Sequence, residues 1–283
     1  LNGLDVLIFD MQDIGVRYYT YVSTLTLVME AGAEKGIPVI VLDRLNPLGR
    51  DMKGPVLDIE FASFVGMHPI PVRHGMTIGE LATMINEEGW LSGGVKANLK
   101  VIQYEGKPKK DDQIAAFTPP PSPNMPNRKT ALNYVGLCLL EGTTLSEGRG
   151  TDMPFKVIGA PFIDSKKLLE AMSPFLNQND VIEKVSFIPR SLPGKSSHPK
   201  YQDELCHGLK IQNMENPINT TVHLFQVLEA LYPDKFQFKE SNFIDKLYGS
   251  NTLRLTVQVG EDVTQMIRDW KIDLDQYGLN IAY

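Results

Sequence analysis

Two glutamates and an arginine lie among glycines and hydroxyl residues in segment 141–151, Glu-Gly-Thr-Thr-Leu-Ser-Glu-Gly-Arg-Gly-Thr. Carboxyl groups that share a cleft can act as general acid and base, and glycoside hydrolysis uses one protonated and one ionised carboxyl. Glu147 follows Glu141 by six positions, so the two side chains can share a cleft and differ in burial. We therefore predict that Glu141 and Glu147 are catalytic. The alternative is an ordinary loop after a helix C-cap at Gly142.

The other polar side chains of this segment are candidate substrate ligands, because polar groups next to a buried element need partners. The apolar run at 131–140 precedes the segment and predicts a buried helix. The candidates are Thr143, Ser146, Arg149 and Thr151.

A second group of candidates surrounds the end of the first predicted strand, at Asp10. Open α/β sheets bind ligands outside the carboxyl ends of their strands, which is where Asp10, Gln12 and Asp13 fall. The alternative for Asp10 is a cap on the following turn. Arg17 and Tyr19 belong to an Arg-Tyr-Tyr-Thr-Tyr run at the start of the next helix, which predicts a wall that stacks on a sugar or faces an anion. Core packing of the tyrosines with solvated hydroxyls is the alternative.

Arg73 and His74 form a third candidate site, just before a predicted helix. Thr77 and Glu80 have the spacing of a capping box, so this helix is predicted to begin at Thr77. A helix N-terminus and a guanidinium both attract anions, which predicts recognition of a negatively charged group of the substrate. The alternative for His74 is a hydrogen-bonded structural role.

These candidates need an α/β scaffold to bring them together. A short apolar strand, an amphipathic helix and a second apolar strand open the chain, and this β-α-β unit implies a parallel sheet with a right-handed crossover. The predicted elements of the first part are strands at 4–10, 38–43 and 101–104 and helices at 17–34, 77–90 and 131–140. Segment 46–74 shows no periodicity. The proline-rich stretch at 117–126 is predicted to be either a rigid linker or a wall across a cleft.

The second part of the chain predicts a separate layer. Its predicted strands are 155–161, 181–189, 209–212 and 253–259, and its predicted helices are 164–176, 220–232 and 261–270. The predicted fold class is α/β, with a Rossmann-like, mostly parallel sheet in residues 1–160 and a smaller α/β or α+β auxiliary domain in residues 161–283. The boundary near residue 160 is placed loosely.

Composition and charge narrow the classes of partner. The chain has 283 residues, a net charge of −6 and a pI near 5.5. A nucleic-acid-binding protein usually carries a basic face, so nucleic acid is not an expected partner. No run is long and apolar enough to span a bilayer. The chain does not start with Met and shows no signal peptide, so we expect a processed extracellular or periplasmic protein, with a cytoplasmic one as the alternative.

No cofactor motif accompanies the Rossmann-like pattern. The loop after the first strand, Met-Gln-Asp-Ile-Gly at 11–15, lacks the glycines that let a backbone approach a pyrophosphate. The chain also lacks a Walker A phosphate loop and a Gly-x-Ser-x-Gly nucleophile elbow. His207 next to Cys206 has no second pair at metal-binding spacing. We therefore expect neither a nucleotide cofactor nor a metal, and a disulfide between Cys138 and Cys206 stays open.

The sequence resembles a bacterial family that was first catalogued as a domain of unknown function and whose characterised members are exo-β-N-acetylmuramidases. The resemblance extends over essentially the whole chain, with weaker similarity at 248–250 and 267–270. The segments that carry it are Phe-Asp-Met-Gln-Asp-Ile-Gly-Val-Arg-Tyr-Tyr-Thr-Tyr at 9–21, Leu-Asp-Arg-Leu-Asn-Pro at 42–47, Gly-Pro-Val-Leu-Asp at 54–58, Pro-Val-Arg-His-Gly-Met-Thr at 71–77, Pro-Asn-Met-Pro at 123–126, and 141–151.

The resemblance implies a Rossmann-like domain joined to a smaller domain, with the active site in the cleft between them and no cofactor. It also implies removal of N-acetylmuramic acid from the non-reducing ends of peptidoglycan fragments, so the expected partners are peptidoglycan-derived sugars or muropeptides. The lactyl carboxylate of that sugar suits a guanidinium, and Arg17, Arg73 and Arg149 are the candidates. Asn46 and Asn124 are candidates for binding the sugar hydroxyls or the acetamido group.

One feature of the family is absent from this sequence. Family members usually begin with a further segment that contains Pro-Glu-His-Gly, and its glutamate is the natural candidate for the catalytic acid. We therefore expect the first part of the Rossmann-like domain to be missing here. Glu141 and Glu147 would then either catalyse or hold the sugar, and a non-catalytic carbohydrate- or muropeptide-binding protein is the alternative function.

Overall fold

The predicted β-α-β unit is present in the computed structural model, which describes residues 1–105, 117 and 119–280. Strand β1 (Leu7–Phe9), helix α1 (Tyr21–Lys35) and strand β2 (Val39–Leu42) follow in order. Strand β2 pairs in parallel with β1 on one side and with β5 (Leu99–Ile102) on the other, so the sheet order is β1-β2-β5. The parallel sheet is thereby confirmed.

Helix α1 begins at Tyr21 rather than at Arg17, because the residues before it pair elsewhere. Val16 forms a bridge with Arg73, and the backbone N–H of Arg17 donates to the carbonyl of Val72 at 2.8 Å. The chain therefore crosses to a neighbouring strand before it can coil. The helix ends at Gly36, which adopts the left-handed conformation that favours glycine.

Helix α2 (Ile78–Glu87) has the predicted capping box. The Thr77 hydroxyl accepts from the Glu80 N–H, and the Glu80 carboxylate accepts from the Thr77 N–H. Helices α1 and α2 pack on one face of the parallel sheet, where Val39 and Val41 are fully buried. This face forms the core of the first layer.

A short antiparallel hairpin lies within segment 46–74, for which the sequence showed no periodicity. Strand β3 (Lys53–Val56) pairs with β4 (Pro71–Arg73) through an irregular register. Strands this short, with proline in each, cannot display an alternating pattern, and their pairing is decided by the surrounding contacts. The hairpin places Arg73 and His74 beside the loop that follows β1.

The second half forms an antiparallel sheet with helices packed around it. The elements are α3 (Arg128–Leu137), a 3₁₀ turn (Cys138–Gly142), β6 (Val157–Ala160), α4 (Ser165–Met172), β7 (Val181–Phe187), β8 (Cys206–Asn213), α5 (Pro217–Leu231), α6 (Phe243–Tyr248), α7 (Thr252–Gln258) and α8 (Thr264–Asn280). The strand order is β6-β8-β7, antiparallel throughout. A parallel sheet followed by an α+β layer confirms the predicted fold class.

One predicted strand is wrong. Residues 253–259 alternate in polarity, which indicated a strand, but the chain forms helix α7 there. Leu253 and Val257, one helical turn apart, are both fully buried in the core. Positions 253 and 257 lie on the same side of either a strand or a helix, so burial of this pair in the core decides the structure against the alternating pattern.

One hydrophobic core joins the two halves of the chain. It includes Tyr18 and Val72 from the first half and Phe225 and Trp270 from the second. The boundary near residue 160 stays a prediction. Across the described residues, no helix is long and apolar enough to cross a membrane.

Candidate functional site

Segment 141–151 folds as a series of tight turns between the 3₁₀ turn and β6. Ser146 bridges Gly159, so the middle of the segment is attached to the edge of β6. Gly148 has φ 82°, and a Cβ there would meet the carbonyl oxygen of Val157 at 2.7 Å. Glycine is therefore required at this position, directly after Glu147.

Four charged side chains form a continuous line, which we call the charge chain: Lys200, Glu147, Arg149 and Glu141. Lys200 Nζ lies 3.0 Å from Glu147 Oε2. Arg149 Nε lies 3.7 Å from Glu147 Oε1, and Arg149 Nη2 lies 2.8 Å from Glu141 Oε1. The side chain of Glu147 is only 5% exposed, whereas that of Glu141 is 25% exposed. The two predicted acids therefore share one cluster but differ in access to solvent.

The environment shifts the pKa of each cation in the chain. Burial lowers the pKa of Lys200, although Glu147 opposes this effect. Burial also acts to lower the pKa of Arg149, but its ion pairs with Glu141 and Glu147 outweigh burial and raise it. Both cations thus depend on the two carboxylates for compensation of their desolvation.

Backbone strain surrounds the charge chain. Phe155 and Tyr201 have φ of 56° and 54°, a conformation that bulky residues rarely adopt. The Arg149 guanidinium lies 5.0 Å from the centre of the Phe155 ring, and Tyr201 directly follows Lys200. Such strain concentrates at functional sites, where the surrounding structure holds it in place.

The hydroxyl residues of the segment turn inward. The Thr143 hydroxyl donates to the Leu140 carbonyl at 2.9 Å, and the Thr151 hydroxyl donates to the Gly148 carbonyl at 2.7 Å. The Ser146 hydroxyl accepts from the Gly148 N–H at 3.3 Å. These hydrogen bonds stabilise the turns that carry the charge chain, and the predicted binding of substrate by the three side chains stays a prediction.

A second polar group, which we call the sheet-end cluster, consists of Gln12, Asp13, Asn46 and His74. Gln12 Nε2 donates to the backbone carbonyl of Asp13 at 2.7 Å. The amide of Asn46 donates to Met76 O and accepts from the backbone N–H of Leu48, at 2.9 Å each. Asn46 therefore ties loops together at the strand ends.

Asp13 and His74 form a buried pair within the sheet-end cluster. Asp13 Oδ2 accepts from the Gly15 N–H at 2.6 Å and lies 3.2 Å from His74 Nε2. The Met76 N–H donates to His74 Nδ1 at 3.3 Å, which favours the tautomer that carries its proton on Nε2. His74 is fully buried, and Asp13 Oδ1 is buried without a hydrogen-bond partner in the described part of the chain.

Asp10 lies at the rim of this cluster. It pairs with Arg44, both side chains being largely exposed. A groove of about 650 Å³ opens nearby, lined by Leu45 and Met76, which also line a smaller pocket beside the sheet-end cluster. Within the described residues, no charge-chain side chain lines this groove.

Two of the three arginines proposed for anion binding are committed to the interior. Arg17 donates to four backbone carbonyls, and burial lowers its pKa to about 10. Arg73 donates to the Leu48 carbonyl, and burial lowers its pKa as well. The fully buried position of Arg17 is the physical reason to correct its predicted role, since its guanidinium stabilises the fold and does not reach a cleft.

The tyrosine rings pack mainly into the core, as in the alternative interpretation, but the hydroxyls of Tyr18 and Tyr19 are buried rather than solvated. The Tyr19 ring lies 6.1 Å from that of Tyr134, which lies 4.7 Å from that of Phe155. Tyr19 is 9% exposed, and its hydroxyl has no hydrogen-bond partner among the described residues. Burial raises its pKa, and Tyr21 and Asp13 raise it further. This aromatic band connects the sheet-end cluster to the Phe155 ring beneath Arg149.

The connection between β7 and β8 also reaches the site. Asn124 Nδ2 donates to the Lys195 carbonyl at 2.8 Å, and the Arg190 N–H donates to the Gly150 carbonyl at 2.7 Å. Lys200 is not among the site residues predicted from the sequence. No sequence signal marks this lysine, because it lies in an irregular polar segment and meets Glu147 only through the fold.

The described residues contain no group of three or more His, Cys, Asp or Glu side chains that could hold a metal ion. Cys138 and Cys206 are both buried free thiols, so no disulfide links them. Burial raises the pKa of both, to about 12 for Cys206.

The fold and the site define an α/β protein in which paired carboxylates and an arginine lie in the turns that precede β6 of the α+β layer. Models of the N-terminal and C-terminal domains of exo-β-N-acetylmuramidase NamZ match residues 1–129 and 132–282, respectively. The chain belongs to this family.

Comparison with individual proteins agrees with this assignment. The chain is 39% identical to the peptidoglycan β-N-acetylmuramidase NamZ of Bacillus subtilis (strain 168), over 98% of this chain and 66% of that protein. It thus spans just under two thirds of the relative's length. Two crystal structures of DUF1343 family proteins from Bacteroides fragilis NCTC 9343 are also similar. BF0379 has a TM-score of 0.81 and is 33% identical, and the match covers 98% of this chain and 74% of that one. BF0371 has a TM-score of 0.87 and is 29% identical, and the match covers 99% of this chain and 74% of that one.

Proposed function

We propose that this protein is an exo-acting β-N-acetylmuramidase, which releases N-acetylmuramic acid from the non-reducing ends of peptidoglycan fragments. The observation that carries the proposal is the pairing of Glu141 with Arg149 at the open end of the charge chain. This pair offers a carboxylate for acid–base chemistry and a cation for the lactyl carboxylate of the sugar. Membership of the NamZ family supports the same activity.

Arg149 is the arginine best placed to bind the substrate carboxylate. Its side chain is 30% exposed, and within the described residues its Nη1 makes no hydrogen bond. Both terminal nitrogens of Arg17 donate to backbone carbonyls. The side chain of Arg73 is only 12% exposed, donates to the Leu48 carbonyl and pairs with Asp51. A partly exposed guanidinium with an unoccupied nitrogen can bind a carboxylate at low cost.

Asn124 is proposed to bind the acetamido group. Its Nδ2 donates to the Lys195 carbonyl, whereas no hydrogen bond to its Oδ1 is present among the described residues. An amide oxygen held in this way can accept from the acetamido N–H. Gln12 and Arg44 line the small pocket beside the sheet-end cluster, and Arg44 pairs with Asp10. These three side chains are proposed to bind further polar groups of the substrate.

Hydrolysis of a chromogenic β-N-acetylmuramide, with detection of the released sugar by mass spectrometry, tests this function. The expected result is turnover that falls on the order of 10²- to 10⁴-fold in kcat for Glu141→Gln, because an amide cannot exchange a proton as a carboxyl does. Glu183→Gln, in the exposed middle of β7, is the matched control and keeps wild-type kcat. Stoichiometric binding of muropeptides without turnover would overturn the proposal in favour of a binding protein.

The proposed substrate also suggests where the protein acts. Peptidoglycan lies outside the cytoplasmic membrane, so we place the protein in the extracellular space or periplasm. Cell fractionation with an antibody against the chain tests this, and a purely cytoplasmic signal would contradict it.

A further inference from the structure

The members of the charge chain differ in burial, from a side-chain exposure of 5% for Glu147 to 30% for Arg149. Glu147 is its most buried member, and it contacts both cations, Lys200 at 3.0 Å and Arg149 at 3.7 Å. Glu141 contacts Arg149 alone and lies in a more exposed position. We call Glu147 and Lys200 the inner pair, and we call Arg149 and Glu141, whose side chains are 30% and 25% exposed, the outer pair.

Lys200 is held by three acceptors, one for each of its N–H groups. Its Nζ donates to the carbonyls of Leu140 and Leu145, at 2.7 and 2.6 Å, and to Glu147 Oε2 at 3.0 Å. Leu140 directly precedes Glu141, and Leu145 lies two residues before Glu147. A single ammonium thus joins the start of the segment, its middle and the buried carboxylate.

Glu147 needs this ammonium because a buried carboxylate without a cation is strongly unfavourable. Its only close partners in the described residues are Lys200 at hydrogen-bond distance and Arg149 at 3.7 Å. Without Lys200, Glu147 would draw on Arg149, and Arg149 would then shift away from Glu141. The geometry of the outer pair therefore depends on the inner one.

From this arrangement we infer that Lys200 is a positioning residue of the proposed hydrolase, which binds Glu147 and thereby leaves Arg149 free to orient Glu141 and the substrate anion. The inference rests on the proposed function. It assigns different roles to the two acids: Glu141 contacts the substrate, and Glu147 acts through Arg149.

The charge of Lys200 gives this role a pH dependence. Glu147 and Glu141 favour the protonated amine, whereas burial and the nearby Lys239 lower its pKa. Activity should therefore fall on the alkaline side of the profile, as the ammonium loses its proton below the ordinary lysine range. An arginine at this position stays protonated in that pH range, so the alkaline loss of activity should move to higher pH.

Stability changes with pH in the opposite sense, which separates the two effects. Because the pKa of Lys200 is lower in the folded state, the unfolded chain binds more protons between the lowered and the ordinary value. The contribution of this group to the free energy of unfolding thus increases as pH rises through that window. A loss of activity in the window therefore does not arise from unfolding at Lys200.

The experiment measures kcat and KM on the chromogenic β-N-acetylmuramide across pH for the wild type, Lys200→Met and Lys200→Arg. For Lys200→Met, kcat should fall on the order of 10²-fold, with a smaller change in KM, because the outer pair is misplaced. Lys200→Arg should keep most of the wild-type kcat and shift the alkaline limb upward. Coincident alkaline limbs for wild type and Lys200→Arg, or an unchanged kcat for Lys200→Met, would overturn the inference.

The double variant Glu147→Gln/Lys200→Met guards against a simple loss of folding. It removes both charges of the inner pair, so position 147 no longer competes with Glu141 for Arg149, and its kcat should recover above that of Lys200→Met. Independent, multiplying losses would count against the inference. The same assay measures turnover by the wild type. Absence of wild-type turnover refutes the proposed function. Normal wild-type turnover with an unchanged kcat in the Lys200 variants refutes only the inference.

Discussion

Arg149 shares its guanidinium between two carboxylates and lies over the Phe155 ring, yet one of its nitrogens carries no hydrogen bond within the described residues. The ring beneath it limits the positions that the guanidinium can take. Residue type alone could not separate this arginine from Arg17, whose donors are occupied by backbone carbonyls. At the scale of single residues, the partners that a side chain already has decide what it can still bind.

Arg149→Lys tests the proposed binding of the lactyl carboxylate. An ammonium loses the fork geometry, so kcat/KM on the β-N-acetylmuramide should fall about 10- to 100-fold, the equivalent of one charge-assisted hydrogen bond. On the matching β-N-acetylglucosaminide, which lacks the lactyl group, the change should be much smaller. Arg190→Lys, in an exposed ion pair with Asp203, is the control. Equal losses of kcat/KM on both substrates would mean that Arg149 only holds the two glutamates and does not bind the lactyl carboxylate.

At the scale of elements, helix α7 shows how packing overrides local pattern. Its residues alternate in polarity, and a strand would place Leu253 and Leu255 on the same face. In the helix, Leu253 is fully buried, whereas Leu255 is 46% exposed. Helix α7 packs between α5 and α6, so the apolar residues on its buried face must recur at i, i+4 spacing.

Leucine-to-alanine substitutions at these two positions distinguish helix from strand. Leu253→Ala should lower the free energy of unfolding by about 2–5 kcal/mol, because it leaves a cavity in the core. Leu255→Ala should change it by less than about 0.5 kcal/mol, as expected for a surface position. Chemical denaturation of both variants measures the difference. Similar large losses at the two positions would contradict the helical assignment.

At the scale of the whole molecule, Arg17 joins the two halves of the chain. Its guanidinium donates to the carbonyls of Pro55 and Ile70 in the first half and of Leu247 and Tyr248 in the second. Gly249 allows this approach, since a Cβ there would lie 2.8 Å from Arg17 Nη2. We therefore expect the two halves to unfold together.

Arg17→Met should lower the free energy of unfolding by more than about 3 kcal/mol, because it leaves several buried carbonyls without donors. The exposed Arg190→Met is the control and should cost less than about 1 kcal/mol. Single-tryptophan variants that retain Trp90 or Trp270 report on the two halves separately. With Arg17 present, the urea transitions reported by Trp90 and by Trp270 should coincide. Well-separated transitions would show that the two halves unfold independently.

The sequence by itself determined the features that depend on local order. The β-α-β unit, the parallel sheet and the capping box at Thr77 follow from apolar periodicity and from side chains within one turn of each other. The segment 141–151 could be singled out because polar groups and glycines after an apolar run need partners. The clustering of Glu141 with Glu147 follows from their short separation in the chain.

Only the tertiary structure decided which long-range partners those residues have. Lys200 and Glu147 are in contact although 53 positions separate them in the sequence, and 230 positions separate Arg17 from Leu247. No local pattern therefore encodes either contact. The same holds for helix α7, where the core selects one of two periods that the sequence permits. Burial and charge compensation act between elements, and they become defined only when the chain has closed into its fold.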